Sequence, residues 1–273
     1  MSTDPRTPER IRHHFEVERE LAQRLRKSTR EERTALFKSL YTELFERVPD
    51  HPRLTMRESA EESAQHTAAQ LKLIRSHLGS AVTFLEFAPG DCRLSHAAAG
   101  LCERVIGVDI SDQRSPGDVS PANFELIVYD GYHLPVKDAS VDVVFSYQFL
   151  EHLHPDDIDA HFELVSCMLK PGGVYIFDTP HQISGPHDVS VHFSKTSECF
   201  HFQEWTYRDM FRLLRRHHFA PNHIFRMGRE QSNPMFSLLA MTAETSLRLL
   251  PFSARHAIAR RLLPSVTVVA HRA

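Results

Sequence analysis

The first side chains that could do chemistry surround a tight turn. Leu85-Glu86-Phe87-Ala88-Pro89-Gly90-Asp91-Cys92 sets small residues between a β-rich run and a helical stretch. In an open parallel sheet, ligands sit at the carboxyl ends of the strands, and a small-residue turn lets backbone N–H groups approach them. Asp109 ends the next β-rich run, about 20 residues on, where a carboxylate can accept hydrogen bonds from both ribose hydroxyls. Taken alone, this pair fits either NAD or S-adenosylmethionine. The turn lacks the G-x-G-x-x-G pattern, which disfavours a dehydrogenase or epimerase.

The second chemical signal is histidine, with 19 in 273 residues. They gather in Glu151-His152-Leu153-His154 and in a later loop at His181, His187 and His192. Imidazole titrates near neutrality, so His187 or His152 could take a proton from an acceptor. For His187 the competing reading is a hydrogen-bonded turn, Ser184 to Ser190, in which Asp188 satisfies backbone amides. His152, His154, Asp156 and Asp157 have the donor types of a metal site. However, Asp156 and Asp157 follow Pro155 at a helix start, where carboxylates meet the helix dipole, and capping is the preferred reading. No metal is expected.

Positioning these groups requires a scaffold, and the hydrophobic pattern supplies one. From Thr7 to about Val48, apolar residues recur near helical spacing and predict two helices, divided at Ser28-Thr29, with Thr29 and Glu32 as a capping box. A further helix is expected from about Thr55 to Leu78, ending before Gly79. The period then changes. Val82–Phe87, Arg104–Val108, Phe124–Tyr129, Val141–Ser146 and Val174–Asp178 read as strands separated by crossovers, so the sheet should be mostly parallel and covered on both faces. The second crossover, Ser111 to Asn123, carries Pro116, Gly117 and Pro121 and should hold little helix. Beyond the loop Thr179–Glu204 come a helix from Thr206 to His218 with Tyr207, Phe211 and Leu214 on its core face, and a strand from Asn222 to Met227. Helices Pro234–Leu250 and Ser253–Leu263 and a last strand Ser265–His271 complete the chain.

Three further motifs fall in order on this scaffold: Asp130-Gly131-Tyr132-His133-Leu134-Pro135 after the third strand, Ser140-Val141-Asp142-Val143-Val144-Phe145 at the fourth, and Leu169-Lys170-Pro171-Gly172-Gly173 before the fifth. In this order and spacing they resemble the class I S-adenosylmethionine-dependent methyltransferases, especially the small-molecule group, over about Thr83 to Met227. The resemblance implies a doubly wound, mostly parallel, seven-stranded Rossmann-like α/β fold and S-adenosylmethionine as cofactor. It implies that Glu86, Ala88 and Gly90 lie under the methionine portion, Asp109 holds the ribose and Ile110 lies against the adenine. Asp130 would bond the adenine amino group with Gly131 and Tyr132 beside it, and Ser146, Tyr147 and Gln148 would line the space between cofactor and acceptor. His152 stands where such enzymes commonly carry Glu-His whatever their acceptor. The chain departs from the family at Ala88 and Cys92, positions usually held by Gly. Alanine there costs little at negative φ but destabilises a left-handed turn.

The bulk numbers agree. A net charge of −3 gives no global attraction to nucleic acid or anionic membranes, and 41% hydrophobic residues supply a core. Four dispersed cysteines without a C-x-x-C pair, a charged start from Met1 to Glu20 and no apolar run near the roughly 20 residues of a membrane span predict a cytoplasmic protein without membrane insertion. Residues 1–54 are expected as a helical extension and 55–273 as the cofactor domain, with a helical insertion at about 234–263. One or both helical additions should roof the strand ends with the loop Thr179–Glu204 as a third wall, and a homodimer is allowed. The expected function is methyl transfer to a small-molecule acceptor, to oxygen on the strength of the histidines. The competing expectation is a degenerate cofactor-binding or partner-binding protein.

Overall fold

The computed structural model describes residues 4–56, 59–115 and 117–273. Met1 to Thr3, Pro116, and the Arg57-Glu58 portion of the helix expected from Thr55 lie outside the described residues. In chain order the elements are α1 (Pro8–Arg26), α2 (Arg30–Arg47), the single turn α3 (Pro52–Thr55), α4 (Ala60–Ile74), β1 (Thr83–Phe87), α5 (Arg93–Ala99), β2 (Arg104–Asp109), β3 (Phe124–Val128) and β4 (Val141–Tyr147). There follow α6 (Ile158–Met168), β5 (Leu169–Pro180), α7 (Tyr207–Arg216), β6 (Phe219–Arg226), β7 (Arg229–Gln231), α8 (Pro234–Arg248), α9 (Phe252–Leu262) and β8 (Ser265–Arg272).

The strands form one sheet in the order β3-β2-β1-β4-β5-β8-β6-β7. The first five are parallel, while β8 runs antiparallel to both β5 and β6. The central strands are apolar on both faces, as burial between two helical layers demands; Phe84, Leu85, Val105, Val144 and Phe177 are all fully buried. The sheet has eight strands rather than seven because β7, a three-residue polar strand with no apolar alternation, folds back on β6. Strand β6 also starts earlier than expected, at Phe219, the core anchor of that strand. The β2–β3 connection is loop where described, and the capping boxes of α2 (Thr29 with Glu32) and α4 (Ser59 with Glu62) are both formed. No helix among the described residues is long and apolar enough to cross a membrane.

The strand order reverses at β1, which has β2 on one side and β4 on the other, so the crevice above this pair is where an open sheet binds ligands. Helix α2 roofs it. Leu40 and Leu44 pack with Leu21 and Leu25 of α1 in one core cluster, whereas Phe37, Tyr41 and Phe45 turn toward a cavity over the strand ends. The insertion α8–α9 contributes nothing to that cavity. It packs beside α7 and β6, tied by buried Glu244, which accepts from the backbone N–H of Tyr207 at 2.6 Å and lies 3.0 Å from His181 Nε2. The roof is therefore N-terminal.

Arg33, almost fully buried, pins α2 down. Its guanidinium donates to the Ser28 carbonyl (2.9 Å), to Asp157 Oδ1 (2.9 Å) and, through Nε, to the Tyr132 hydroxyl (3.0 Å), which donates in turn to Asp157 Oδ2 (3.0 Å). Replacing it with an apolar side chain of similar length removes all three bonds. Arg33→Met is expected to cost roughly 1.5–3 kcal/mol, the scale of hydrogen bonds to charged groups. Urea unfolding measures it. A loss under about 0.5 kcal/mol, typical of a neutral surface change, would mean that α2 is held by its apolar contacts alone.

Candidate active site

The cavity beneath α2 has a volume of about 1110 Å³, at the upper end of the roughly 300–1,000 Å³ usual for ligand pockets. Its floor is the strand-end row: Ala88 and Gly90 after β1, Asp109 and Ile110 after β2, Gly131 and Tyr132 after β3, and Tyr147 and Gln148 after β4. Its other walls are aromatic, with Phe37, Tyr41 and Phe45 from α2 facing Phe200 and Phe202 from the loop that follows β5. Tyr41 and Phe200 stand 5.3 Å apart, centroid to centroid. Arg30 stacks over the Tyr132 ring at 4.3 Å and Arg53 over Tyr41 at 5.8 Å.

Each floor residue owes its position to its strand. Asp109 is buried at the end of β2, where Oδ1 accepts from the Ser111 amide (3.2 Å) and Oδ2 from Gln113 (3.5 Å); burial raises its pKa, against bonds from Ser111, Ile110 and Gly90 that lower it. Gln148 is fixed at both ends by Asp178, through its amide N–H (2.8 Å) and its Nε2 (2.7 Å). Gly131 adopts φ +93°, and a Cβ there would meet the Phe37 ring at 3.2 Å, so this glycine admits the roof helix. At Gly90, φ is +55° and a Cβ would meet nothing within 4 Å, so the turn borders open space.

Not every residue singled out in the sequence reaches the cavity. Glu86 is buried beneath the turn, accepting from the Ser95 hydroxyl at 2.6 Å. Ser146 points into the core, 2.8 Å from the Tyr175 hydroxyl. Asp130 closes its own turn, accepting from the amides of Tyr132 (2.8 Å) and His133 (2.7 Å). His187 is not among the cavity-lining residues; its Nε2 lies 2.9 Å from the Ser184 hydroxyl and its amide donates to Glu204 (2.7 Å), the hydrogen-bonded turn that was the competing reading. His152 does line the cavity, with Nδ1 at 3.1 Å from the Phe200 carbonyl. Burial, with the charges of His201 and Arg53, lowers its pKa to about 3. The helix start after Pro155 carries Asp156 and Asp157 in its first turn, as expected, with the side-chain cap supplied by a neighbour. His154 Nδ1 accepts from the Asp156 amide and supplies the cap, because Asp157 is committed to Arg33.

The sequence placed the N-terminal helices and the loop Thr179–Glu204 over the strand ends, but it singled out none of Phe37, Tyr41, Phe45, Phe200 and Phe202 as lining residues. The available signal was that the apolar residues of α2 surround more of its circumference than one core stripe needs, which implies a second apolar partner.

Residues 85–177 match the family described as "Methyltransferase domain". Over 90 residues the chain is 37% identical to a Mycolicibacterium smegmatis protein named for S-adenosylmethionine-dependent methyltransferase activity, an alignment covering 32% of this chain and 33% of that one. Residues 85–177 thus match a methyltransferase domain, and the aligned relative is named for use of S-adenosylmethionine. The match spans about a third of that relative's length. In fold, the chain is similar to Burkholderia thailandensis 1,6-didemethyltoxoflavin-N1-methyltransferase (TM-score 0.53, 17% identity, 90% of this chain and 91% of that one). It is also similar to Haemonchus contortus phosphoethanolamine N-methyltransferase 1 (TM-score 0.56, 13% identity, 90% of this chain and 50% of that one).

The cofactor of such a domain is S-adenosylmethionine, and the cavity fits it. The Gly90 turn leaves a cradle, a carboxylate stands at the end of β2, and apolar Ile110 and Val108 line the adjoining wall. The methyltransferase turn is nevertheless strained. Ala88 and Cys92, at the two positions usually held by glycine, adopt φ of +52° and +63°. A left-handed L-residue costs roughly 1–2 kcal/mol, against roughly 0.5–1 kcal/mol of extra chain entropy for glycine. Ala88 exposes its methyl to the cavity, so Ala88→Gly loses no core packing and is expected to stabilise the protein by up to about 1 kcal/mol. Calorimetry should show a higher melting temperature, and a fall would mean that the turn is not strained. Cys92 is fully buried, and its replacement by glycine would mix strain relief with a cavity.

Burial also raises the pKa of Glu86 to about 7 from an ordinary 4.5. The folded protein therefore holds this proton more tightly than the unfolded chain does. The associated stability is complete below pH 4.5 and is lost as pH rises toward 7. Glu86→Gln keeps the uncharged form throughout and should flatten the fall of melting temperature across that window. Parallel curves for the two proteins would overturn the assignment.

Proposed function

We infer that the protein transfers the methyl group of S-adenosylmethionine to a small hydroxylated acceptor with a flat apolar body. The observation that carries this reading is the cavity: polar at the strand ends, aromatic beneath α2 and roomy enough for a cofactor with a small acceptor beside it.

Asp109 would hold the ribose hydroxyls, Ile110 the adenine face, and the Ala88–Gly90 turn the methionine portion, with Gly131, Tyr132, Tyr147 and Gln148 closing the pocket. Glu86, Asp130 and Ser146 would act from behind, holding the turns that make contact. When bound, the cofactor supplies a methyl group already activated by its sulfonium, so the protein's task is to align the acceptor and exclude water. Tyr41, Phe45, Phe200 and Phe202 would sandwich the acceptor body. His152, with Nδ1 engaged at the Phe200 carbonyl, keeps Nε2 as an acceptor for the substrate hydroxyl. Burial keeps this imidazole neutral at working pH, so Nε2 accepts a hydrogen bond from the hydroxyl and orients its oxygen, while the proton released as the methyl group transfers passes to water.

A second reading, a cofactor-binding protein without turnover, draws on the two strained residues of the first turn. Formation of S-adenosylhomocysteine with a panel of small phenols separates the two. Cofactor binding without product from any acceptor decides for the second reading.

Asp109→Ala should weaken S-adenosylmethionine binding by roughly 1.5–3 kcal/mol, at tenfold per 1.4 kcal/mol, in calorimetry. Unchanged affinity in the folded variant would remove Asp109 from the site. His152→Ala should lower turnover of a hydroxyl acceptor by about 10²-fold with cofactor affinity retained, and the wild type should show no loss of turnover from His152 protonation until pH falls toward 3. Full activity in the variant would leave alignment by the aromatic walls as the whole of the catalysis.

A further inference from the structure

We propose that His77, His223, Glu230 and His271 form a closed structural site for a divalent transition-metal ion of the zinc class, on a part of the sheet separate from the methyltransferase cavity. The strand register assembles it. His223 pairs with Val269, so His271, two residues on, shares its face of the sheet. Glu230 pairs with Phe225, two residues from His223, and stands on that face as well. Val269 belongs to the core cluster that contains Ile74 at the end of α4, so this is the face that α4 covers, and the short turn after α4 brings in His77.

The four side chains converge. Glu230 Oε1 lies 3.2 Å from His271 Nε2 and against His223 Nδ1, while Oε2 lies 2.9 Å from His77 Nε2. One donor atom from each of His223, Glu230 and His271 falls within 4.8 Å of the other two. A tetrahedral zinc ion with bonds of about 2.0–2.2 Å places its ligand atoms roughly 3.3–3.5 Å apart, so binding requires adjustments on the order of 1 Å among the partly buried His223, Glu230 and His271 and a larger one of His77. Imidazole nitrogen with one carboxylate suits zinc, cobalt, nickel or copper rather than magnesium or calcium. His77, held at 2.9 Å by the other oxygen of Glu230, stands outside the close group of three and must turn in to complete the shell; four protein ligands then leave no open position, which marks a structural and not a catalytic ion.

Two other His/Glu clusters occur among the described residues, and each is already engaged. In His14-Glu18-His51, the Arg6 guanidinium sits 3.2 Å from His14 Nδ1 and would repel a cation, and Glu18 accepts from the Phe200 amide. In Glu151-His152-His201, His152 contacts the Phe200 carbonyl and His201 contacts Glu204. Only the Glu230 cluster points its imidazoles at one carboxylate with no cation or carbonyl among the contacts joining them.

The test uses full-length protein stripped with a chelator and titrated with ZnCl₂ by calorimetry, and with CoCl₂ by visible absorption. One equivalent of zinc should bind with release of protons, cobalt should give the intense visible bands of a tetrahedral N/O site, and zinc should raise the melting temperature. Glu230→Gln and the double variant His223→Ala/His271→Ala should weaken zinc binding at least tenfold and abolish the thermal shift. Their affinity for S-adenosylmethionine should be unchanged, which also shows that the variants are folded and separates this proposal from the methyltransferase reading. His14→Ala, in the neighbouring cluster, should bind zinc as the wild type does. Absence of stoichiometric binding, or binding and thermal shift that survive the double variant, overturns the proposal and leaves Glu230 as a hydrogen-bonded hub.

Discussion

The cavity depends on one buried cation. Arg33 joins the turn before α2, the loop after β3 and the start of α6, three segments that no strand pairing connects. Apolar packing against α1 would hold α2 near the sheet, but it would not set the height of the helix above the strand ends. A guanidinium with three directional bonds does. Breaking a buried pair of this kind leaves an uncompensated charge, so the arrangement tolerates little intermediate displacement. The depth of the cavity, and hence the thickness of what fits it, follows from where Arg33 finds its partners.

The same placement explains why Gly131 has no side chain and why Tyr132 points as it does. Tyr132 is clamped by Arg33 and Asp157 at its hydroxyl and by Arg30 over its ring. The strand-end row is thus organised from above as well as from the sheet. Beneath it, Glu86 and the left-handed Ala88 show the opposite economy, a buried proton and a strained turn retained where the chain must bend sharply under a ligand.

The framework was legible because its signals are local. Apolar runs such as Val141–Phe145 can be little else than central strands, and Thr29 with Glu32 announces a helix start within four residues. The floor of the cavity was legible for the same reason, since each residue ends a strand or follows one within four positions. The residues of its walls were not, although the elements that carry them were. Phe200 lies 159 residues from Tyr41 in number, and no periodicity links a loop to a helix that it meets only across a cavity. His187 does not line the cavity because proximity to a strand end in sequence does not say which way a turn faces, and its Ser184 and Glu204 partners turn it inward. β7 was missed because three polar residues carry no alternation to read.

That small strand has a consequence for how molecules of this protein meet one another. Were the sheet to stop at β6, it would present eight residues of unpaired backbone, a template on which another chain could add a strand. The hairpin covers the Ile224–Arg226 end of this edge and finishes the sheet there in Arg229-Glu230-Gln231, too short and too charged to recruit a partner. The last three residues of the sheet thus act as a partial guard at this end, and β3 remains the longer open edge on which another strand could be added.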